Sequence, residues 1–279
     1  MNNLFFSGAV FAGSLVAGFV GSLTGLGGGV VIVPLLTIAF GVNMRYAIGA
    51  SLISVIATSS GAAAAYVREG YSNVRIGMLL EIATSIGALT GAAVAAFVPT
   101  AGLAILLGVV LFGSVFAPSH KEDVPEPEPA DPESLGARIG LNASYPGPNG
   151  ETPYRVRRLP LGFGLMGVAG LLSGLLGIGS GAVKVLALDL AMGLPFKVST
   201  TTSNFMIGVT AAASAGVYLH RGYIDPGLAM PVTLGVAAGS LAGAKLLVTA
   251  PSRKLRMLFR GVILALAVEM IYNGWTGRI

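Results

Sequence analysis

Cysteine is absent from this 279-residue chain, which excludes disulfides, thiolate metal sites, iron–sulfur clusters and thiol relays. Histidine is nearly absent: His120 and His220 are the whole supply, too few for a histidine metal centre. No metal, other cofactor or catalytic constellation is therefore expected. Charge is scarce as well, at 10% of residues against about 25% in an ordinary soluble domain. One core of this size could not hide the apolar surface that remains, so composition excludes a cytosolic enzyme. The net charge of +5 does not point to nucleic acid, because the basic residues sit beside apolar runs.

What the chain has in excess is apolar length and glycine. Hydrophobic residues make up 54% and glycines number 41, where glycine usually accounts for about 7% of a sequence. A membrane helix needs about 20 mostly apolar residues. Tracts of that kind lie at 4–24, 46–67, 75–97, 160–177, 198–219, 227–249 and 257–275. Shorter ones lie at 29–42, 100–117 and 181–193. The expected fold is an all-α polytopic membrane protein with about ten segments in the cytoplasmic (inner) membrane of the cell. The first tract lacks a basic leader and a small-residue cleavage site, and reads as a retained helix.

A polar insert from Pro118 to Arg158 divides the chain into residues 1–117, 118–158 and 159–279. Its centre, Glu122-Asp123-Val124-Pro125-Glu126-Pro127-Glu128-Pro129, alternates acids with prolines and has nothing to bury. It predicts a solvated, polyproline-like tether, with a docking segment as the alternative. Lys and Arg counts set orientation. With the amino terminus outside and ten crossings, twelve fall in inner loops and three in outer loops, while Lys184 and Lys245 lie within spans. Both termini then face outward and the insert is cytoplasmic.

The two halves align without a gap when residue n is set against n+152. Gly25-Leu26-Gly27-Gly28-Gly29 falls on Gly177-Ile178-Gly179-Ser180-Gly181, Gly41 on Gly193, Ser51 on Ser203 and Tyr66 on Tyr218. Five crossings per half is an odd number, so the second copy is expected to lie inverted. Loop charges agree: no Lys or Arg follows Pro99 closely, while Arg253, Lys254 and Arg256 follow Pro251. Inverted repeats recur in secondary transporters, with substrate near the midplane, and channels use them too.

The short tracts point to the site. About 13 residues give roughly 20 Å of helix, some 10 Å short of the hydrocarbon core. The glycine ends at Gly27, Gly28, Gly29 and at Gly179, Ser180, Gly181 should therefore stop inside the membrane. There their free N–H groups and positive dipole ends favour an anion; close helix packing is the plainer reading of many other glycines, Gly87 and Gly91 among them. Lys184 shares the face of Ser180 and Gly181, and a bound anion would offset its burial; a lysine snorkelling to the interface is the alternative. Ser199-Thr200-Thr201-Thr202-Ser203-Asn204 exceeds what a helix cap needs, so Thr201, Thr202, Ser203 and Asn204 are lining candidates together with Ser51. Glu81 and Asp189 are candidates for relaying a coupling proton.

These residues resemble the TauE/SafE family of sulfite and organosulfonate exporters, also called the toluene-sulfonate uptake permease family. The resemblance rests on Gly25-Leu26-Gly27-Gly28-Gly29 with Pro34 downstream and on Ala50-Ser51-Leu52. In the second half it rests on Gly170-Leu171-Leu172-Ser173-Gly174-Leu175-Leu176-Gly177-Ile178-Gly179-Ser180-Gly181 and on Thr201-Thr202-Ser203. Ser180 interrupts the second glycine run, and Leu186 stands where a counterpart of Pro34 would be. The resemblance implies a permease for small sulfur-containing anions such as sulfite, sulfoacetate or other organosulfonates. Its partners would be that anion, the lipid bilayer and a coupling proton or ion. A passive anion channel, a carboxylate transporter of the same architecture and a membrane scaffold acting through its insert are the rival expectations.

Overall fold

The computed structural model describes residues 3–24, 29–68, 70–116, 135–147, 150–249 and 252–279. The first half comprises α1 (Asn3–Thr24), α2 (Gly29–Pro34) running into a π-helical turn (Leu35–Ala39), α3 (Met44–Arg68), α4 (Val74–Ala95) and α5 (Thr100–Phe116). The second comprises α7 (Leu159–Leu176), α8 (Gly181–Leu186) running into a second π-helical turn (Ala187–Ala191), α9 (Phe196–His220), α10 (Pro226–Thr249) and α11 (Ser252–Trp275). The starts of α2, α3, α4 and α5 recur in α8, α9, α10 and α11 at the same 152-residue offset seen in the sequence. So do the turns: Gly41 and Gly193, and Gly70 and Gly222, all hold positive φ, the left-handed conformation that ends a helix without a Cβ penalty. The π turn forms after Leu186 as it does after Pro34, so proline is not what causes it.

Packing exchanges partners between the halves. The α1 helix lies along α10, α7 along α4, α5 along α11, and α3 crosses α9. Glycines allow these approaches, since small residues let membrane helices come together. A Cβ on Gly87 would sit 2.1 Å from the Gly167 carbonyl oxygen, and one on Gly239 would sit 2.0 Å from that of Leu15. Gly170 meets Thr84 and Gly18 meets Val236 in the same reciprocal way. Gly87 and Gly91 are thus packing residues, as the plainer reading has it.

Four described helices are long and apolar enough to cross a membrane by length and composition, over Leu4–Gly21, Val74–Ala95, Leu159–Leu176 and Pro226–Gly243. Gly29–Ala39, Thr100–Phe116 and Gly261–Trp275 are shorter apolar helices. The central α3 and α9 are 25 residues each, but their serines and threonines dilute the apolar signal. Those hydroxyls face inward: Ser51, Ser54, Ser199, Thr201, Thr202, Ser203, Thr210 and Ser214 are buried. A helix enclosed by other helices need not be apolar toward lipid.

The insert is more than a tether. The acidic proline run lies outside the described residues, but a short helix α6 (Leu135–Arg138) and a hairpin of β1 (Ala143–Gly147) and β2 (Gly150–Tyr154) follow it. The strands are antiparallel, with Ala143 opposite Tyr154 and Gly147 opposite Gly150. Leu141, Tyr145, Tyr154 and Val156 are buried in one apolar cluster with Ile76, Leu80, Met166, Leu188, Met192 and Val198. That burial is why Leu141, Tyr145, Tyr154 and Val156 pack onto the helices instead of remaining solvated.

Candidate functional site

Gly29, at the end of the first glycine break, meets the second break beside α3, a Cβ on Gly29 lying 3.2 Å from the Gly177 carbonyl oxygen. Ser51 is fully buried, and its Oγ is 2.8 Å from the Gly177 carbonyl oxygen and 3.4 Å from that of Gly29. One hydroxyl thus bridges a carbonyl from each break. Its repeat counterpart Ser203 donates to the Gly181 carbonyl at 3.3 Å, so the two serines hold aligned glycines, Gly29 and Gly181, in the same way. Gly177 and Gly179 have positive φ, and so does Ser180 at 43°, a conformation rarely taken by a residue with a side chain. Ser180 Oγ donates to the Ala169 carbonyl, which secures that turn against α7. Gly27 and Gly28 lie outside the described residues.

Lys184 is fully buried, so it does not snorkel. Its Nζ donates to Thr210 Oγ1 on α9, and Thr210 Oγ1 lies 2.7 Å from Glu81 Oε1 on α4. A lysine of the second half and an acid of the first are joined through one threonine. Ser85 Oγ also donates to Glu81 Oε1, at 3.2 Å, while Glu81 Oε2 is buried without a hydrogen-bond partner among the described residues. The burial of Lys184 is therefore offset inside the protein, by Glu81, and does not of itself require a bound anion. Asp189 lies half-buried in the π turn after α8, where its carbonyl accepts from the Gly193 N–H.

The hydroxyl cluster at the start of α9 is divided between two tasks. Thr201 Oγ1 lies 3.0 Å from the Tyr71 carbonyl and 2.9 Å from that of Lys197, and Thr202 Oγ1 accepts the Asn73 N–H at 3.0 Å. These two tie α9 to the segment before α4. Ser203 turns to the break, and Asn204 is half-buried. Asn73 completes the tie: its Oδ1 accepts from Ile76 N at 3.1 Å and caps α4, while Nδ2 donates to the Leu141 carbonyl at 3.2 Å and to Tyr154 Oη at 2.8 Å. The Arg157 N–H reaches the Met192 carbonyl at 3.0 Å. The hairpin thus clamps the ends of α4, α8 and α9 at one rim of the bundle.

Asn73→Ala removes a cap and both hairpin bonds, and is expected to cost about 2 kcal/mol and to open residues 141–156 to protease; unchanged cleavage would contradict the clamp. Burial pushes the Tyr154 phenol above its usual range, and the Asn73 bond pulls it back. A raised phenol makes the folded state the better proton binder, so the clamp's contribution is full below about pH 10 and is lost as pH rises further.

Sequence reasoning missed Thr210. A lone threonine in a long helix reads as bonding back to its own turn, and Thr210 Oγ1 does lie 2.8 Å from the Met206 carbonyl. The signal was its spacing, seven residues after Ser203 and four before Ser214, which puts all three on one face. The hairpin also had a signal, an Asn149-Gly150 pair between strand-like residues.

The family model described as "Sulfite exporter TauE/SafE" matches residues 10–270. The probable membrane transporter protein YunE of Bacillus subtilis is 27% identical over 267 residues, covering 93% of this chain and 95% of the relative. The probable membrane transporter protein YdhB of the same organism is 26% identical over 244 residues, covering 85% and 86%. A probable membrane transporter protein of Xylella fastidiosa is 24% identical over 272 residues, covering 96% and 95%. No solved structure matches the chain.

Proposed function

Because the chain belongs to the TauE/SafE sulfite exporter family and is an integral membrane transporter like its relatives, we propose that its cargo is a small sulfur-containing anion. Sulfite, sulfoacetate and other organosulfonates are the substrate class, and the transport mode is alternating access around the crossing of the two helix breaks. The observation that carries this reading is the Ser51 bridge between Gly29 of one break and Gly177 of the other. It brings two broken helices of different repeats to one point, the arrangement in which transporters hold substrate. Near that point Gly29, Gly179, Ser180 and Gly181 would offer backbone groups, Lys184 a cation, and Ser51, Ser203 and Asn204 polar side chains, while Thr201 and Thr202 hold the segment before α4. Hydroxyls that bond to carbonyls in this state would turn to the anion when the breaks separate.

The chain is organised as two inverted five-segment repeats, 1–117 and 159–279, with both termini outside and the insert, 118–158, cytoplasmic. Two sets of rim contacts support this. Arg45 bonds to the Ala96 and Val98 carbonyls, Arg221 to those of Ala92 and Ala93, and Thr100 to that of Ile279, gathering the loops assigned outside. Asn73, Leu141, Tyr154, Arg157 and Met192 gather those assigned inside.

Thermal stabilisation of the detergent-purified protein tests the reading across sulfite, sulfate, sulfoacetate, taurine, acetate, lactate, chloride and phosphate. An anion at 100 times its Kd adds about 2.7 kcal/mol. Selective stabilisation by sulfite or a sulfonate is expected, and it should vanish in the double variant Lys184→Ile/Glu81→Thr. Stabilisation by carboxylates alone would overturn the sulfur assignment.

A further inference from the structure

Lys184, Thr210 and Glu81 form a charged triad, and its aligned positions in the other repeat are Ile32, Thr58 and Thr233. The chain thus packs this place in two ways, once with a buried acid and base and once with neither. Ile32 is fully buried, and Thr58 Oγ1 bonds back to the Ser54 carbonyl at 2.9 Å. The fold does not need the charges, which invites a functional account of them.

We propose that Glu81 is the proton-binding site that couples transport: its carboxylate balances the Lys184 charge through Thr210 when substrate is absent, and it takes up one proton when an anion binds Lys184. This deepens the reading of Lys184 as an anion ligand and rests on it. Three observations support the exchange. Thr210 Oγ1 is the one hydrogen-bond partner of Lys184 Nζ among the described residues, which leaves two of three ammonium donors for a ligand. The hydrogen bonds from Thr210 and Ser85 to Glu81 both fall on Oε1. Oε2 is buried with no hydrogen-bond partner among the described residues, and there an added proton has a lone pair to occupy.

Charge balance sets the stoichiometry. Lysine and carboxylate together are neutral, so adding a monovalent anion would leave one uncompensated negative charge in a low-dielectric interior, which is costly. Protonation of the Glu81 carboxylate to the neutral acid, with the proton drawn from water, restores neutrality. Other charged groups do not face Glu81 closely enough to substitute. The packed α7 carries no titratable residue, and the charges of α9 are at its ends, where Lys197 lies over the Tyr71 ring and His220 is exposed. Arg75 of α4 itself is exposed, and Asp189 is half-buried in the π turn beyond α8.

The test is calorimetric binding of methanesulfonate, a permanently monovalent sulfonate, to the full chain in buffers of differing ionisation heat. Wild type should take up one proton per anion bound, and its affinity should fall about tenfold per pH unit where Glu81 of the free protein is ionised. In Glu81→Gln the proton uptake and the pH dependence should both vanish while methanesulfonate still binds. Wild-type binding without proton uptake, or uptake that persists in Glu81→Gln, overturns the coupling role and leaves the anion site standing. Absence of binding by folded wild-type protein removes the anion site and this proposal with it. Lys184→Ile/Glu81→Thr, which copies the residues of the other repeat, serves as the folded control and should bind no methanesulfonate.

Discussion

Lys184→Ala is expected to destabilise the protein by about 3–5 kcal/mol, the usual cost of breaking a buried pair and stranding one charge. The stranded group is Glu81, joined to Lys184 through Thr210 and 8% exposed. Replacing both charges should behave differently. In Lys184→Ile/Glu81→Thr no buried charge is left alone, and each new side chain is the one already standing at the aligned position of the other repeat, Ile32 or Thr233. Replacing a buried pair by well-packed neutral groups is often neutral or stabilising, so the double variant should return to within about 1 kcal/mol of wild type. Melting temperature and monodispersity in detergent read both changes. Equal losses in the single and double variants would show that the triad is not an energetic unit.

The other large effect lies in the helix crossings. Gly87→Ala and Gly239→Ala each push a methyl to within 2.1 Å of a carbonyl oxygen, so a helix pair must part. Overpacking of this kind costs about 1–3 kcal/mol, and a larger side chain such as leucine should prevent a stable fold. Because Gly87 meets Gly167 and Gly239 meets Leu15, which are aligned pairs, the two losses should be similar. Gly113→Ala and Gly216→Ala provide the control. No atom lies within 4 Å of a Cβ at either position, and alanine's better helix propensity should leave stability unchanged or raised by up to about 1 kcal/mol. A control as damaging as Gly87→Ala would remove the packing argument.

The helices were legible because lipid and glycine write clear signals. Apolar tracts at 75–97 and 160–177 became Val74–Ala95 and Leu159–Leu176 with little change, since burial and membrane thickness both demand uninterrupted apolar length. Two short tracts ending in glycine, one in each half, pointed to one region, and Gly29 lies beside Gly177 there. The partner of Lys184 was not legible. Glu81 lies in another repeat, and sequence spacing gives no measure of distance between helices that exchange partners. The hairpin was obscured for a different reason. The acidic prolines at 122–129 set the character of the whole insert, although Leu141, Tyr145, Tyr154 and Val156 were present to bury. The π turns had no visible signal, because Leu186 and Pro34 precede equivalent ones.

The clamp and the triad share a physical logic. Each joins the first half to the second through a few polar contacts, Asn73 to Thr202 and Glu81 to Lys184 through Thr210, around helices otherwise held by apolar packing. Polar contacts between rigid packed bodies are the places where a two-state rearrangement can be biased.

Uptake of labelled sulfoacetate into proteoliposomes bearing the purified protein tests the central claim most directly. The account predicts saturable uptake that is accelerated by unlabelled sulfoacetate inside the vesicles and lost in Lys184→Ile/Glu81→Thr. Flux that rises without saturation, shows no exchange and survives the double substitution would contradict a carrier centred on these helix breaks.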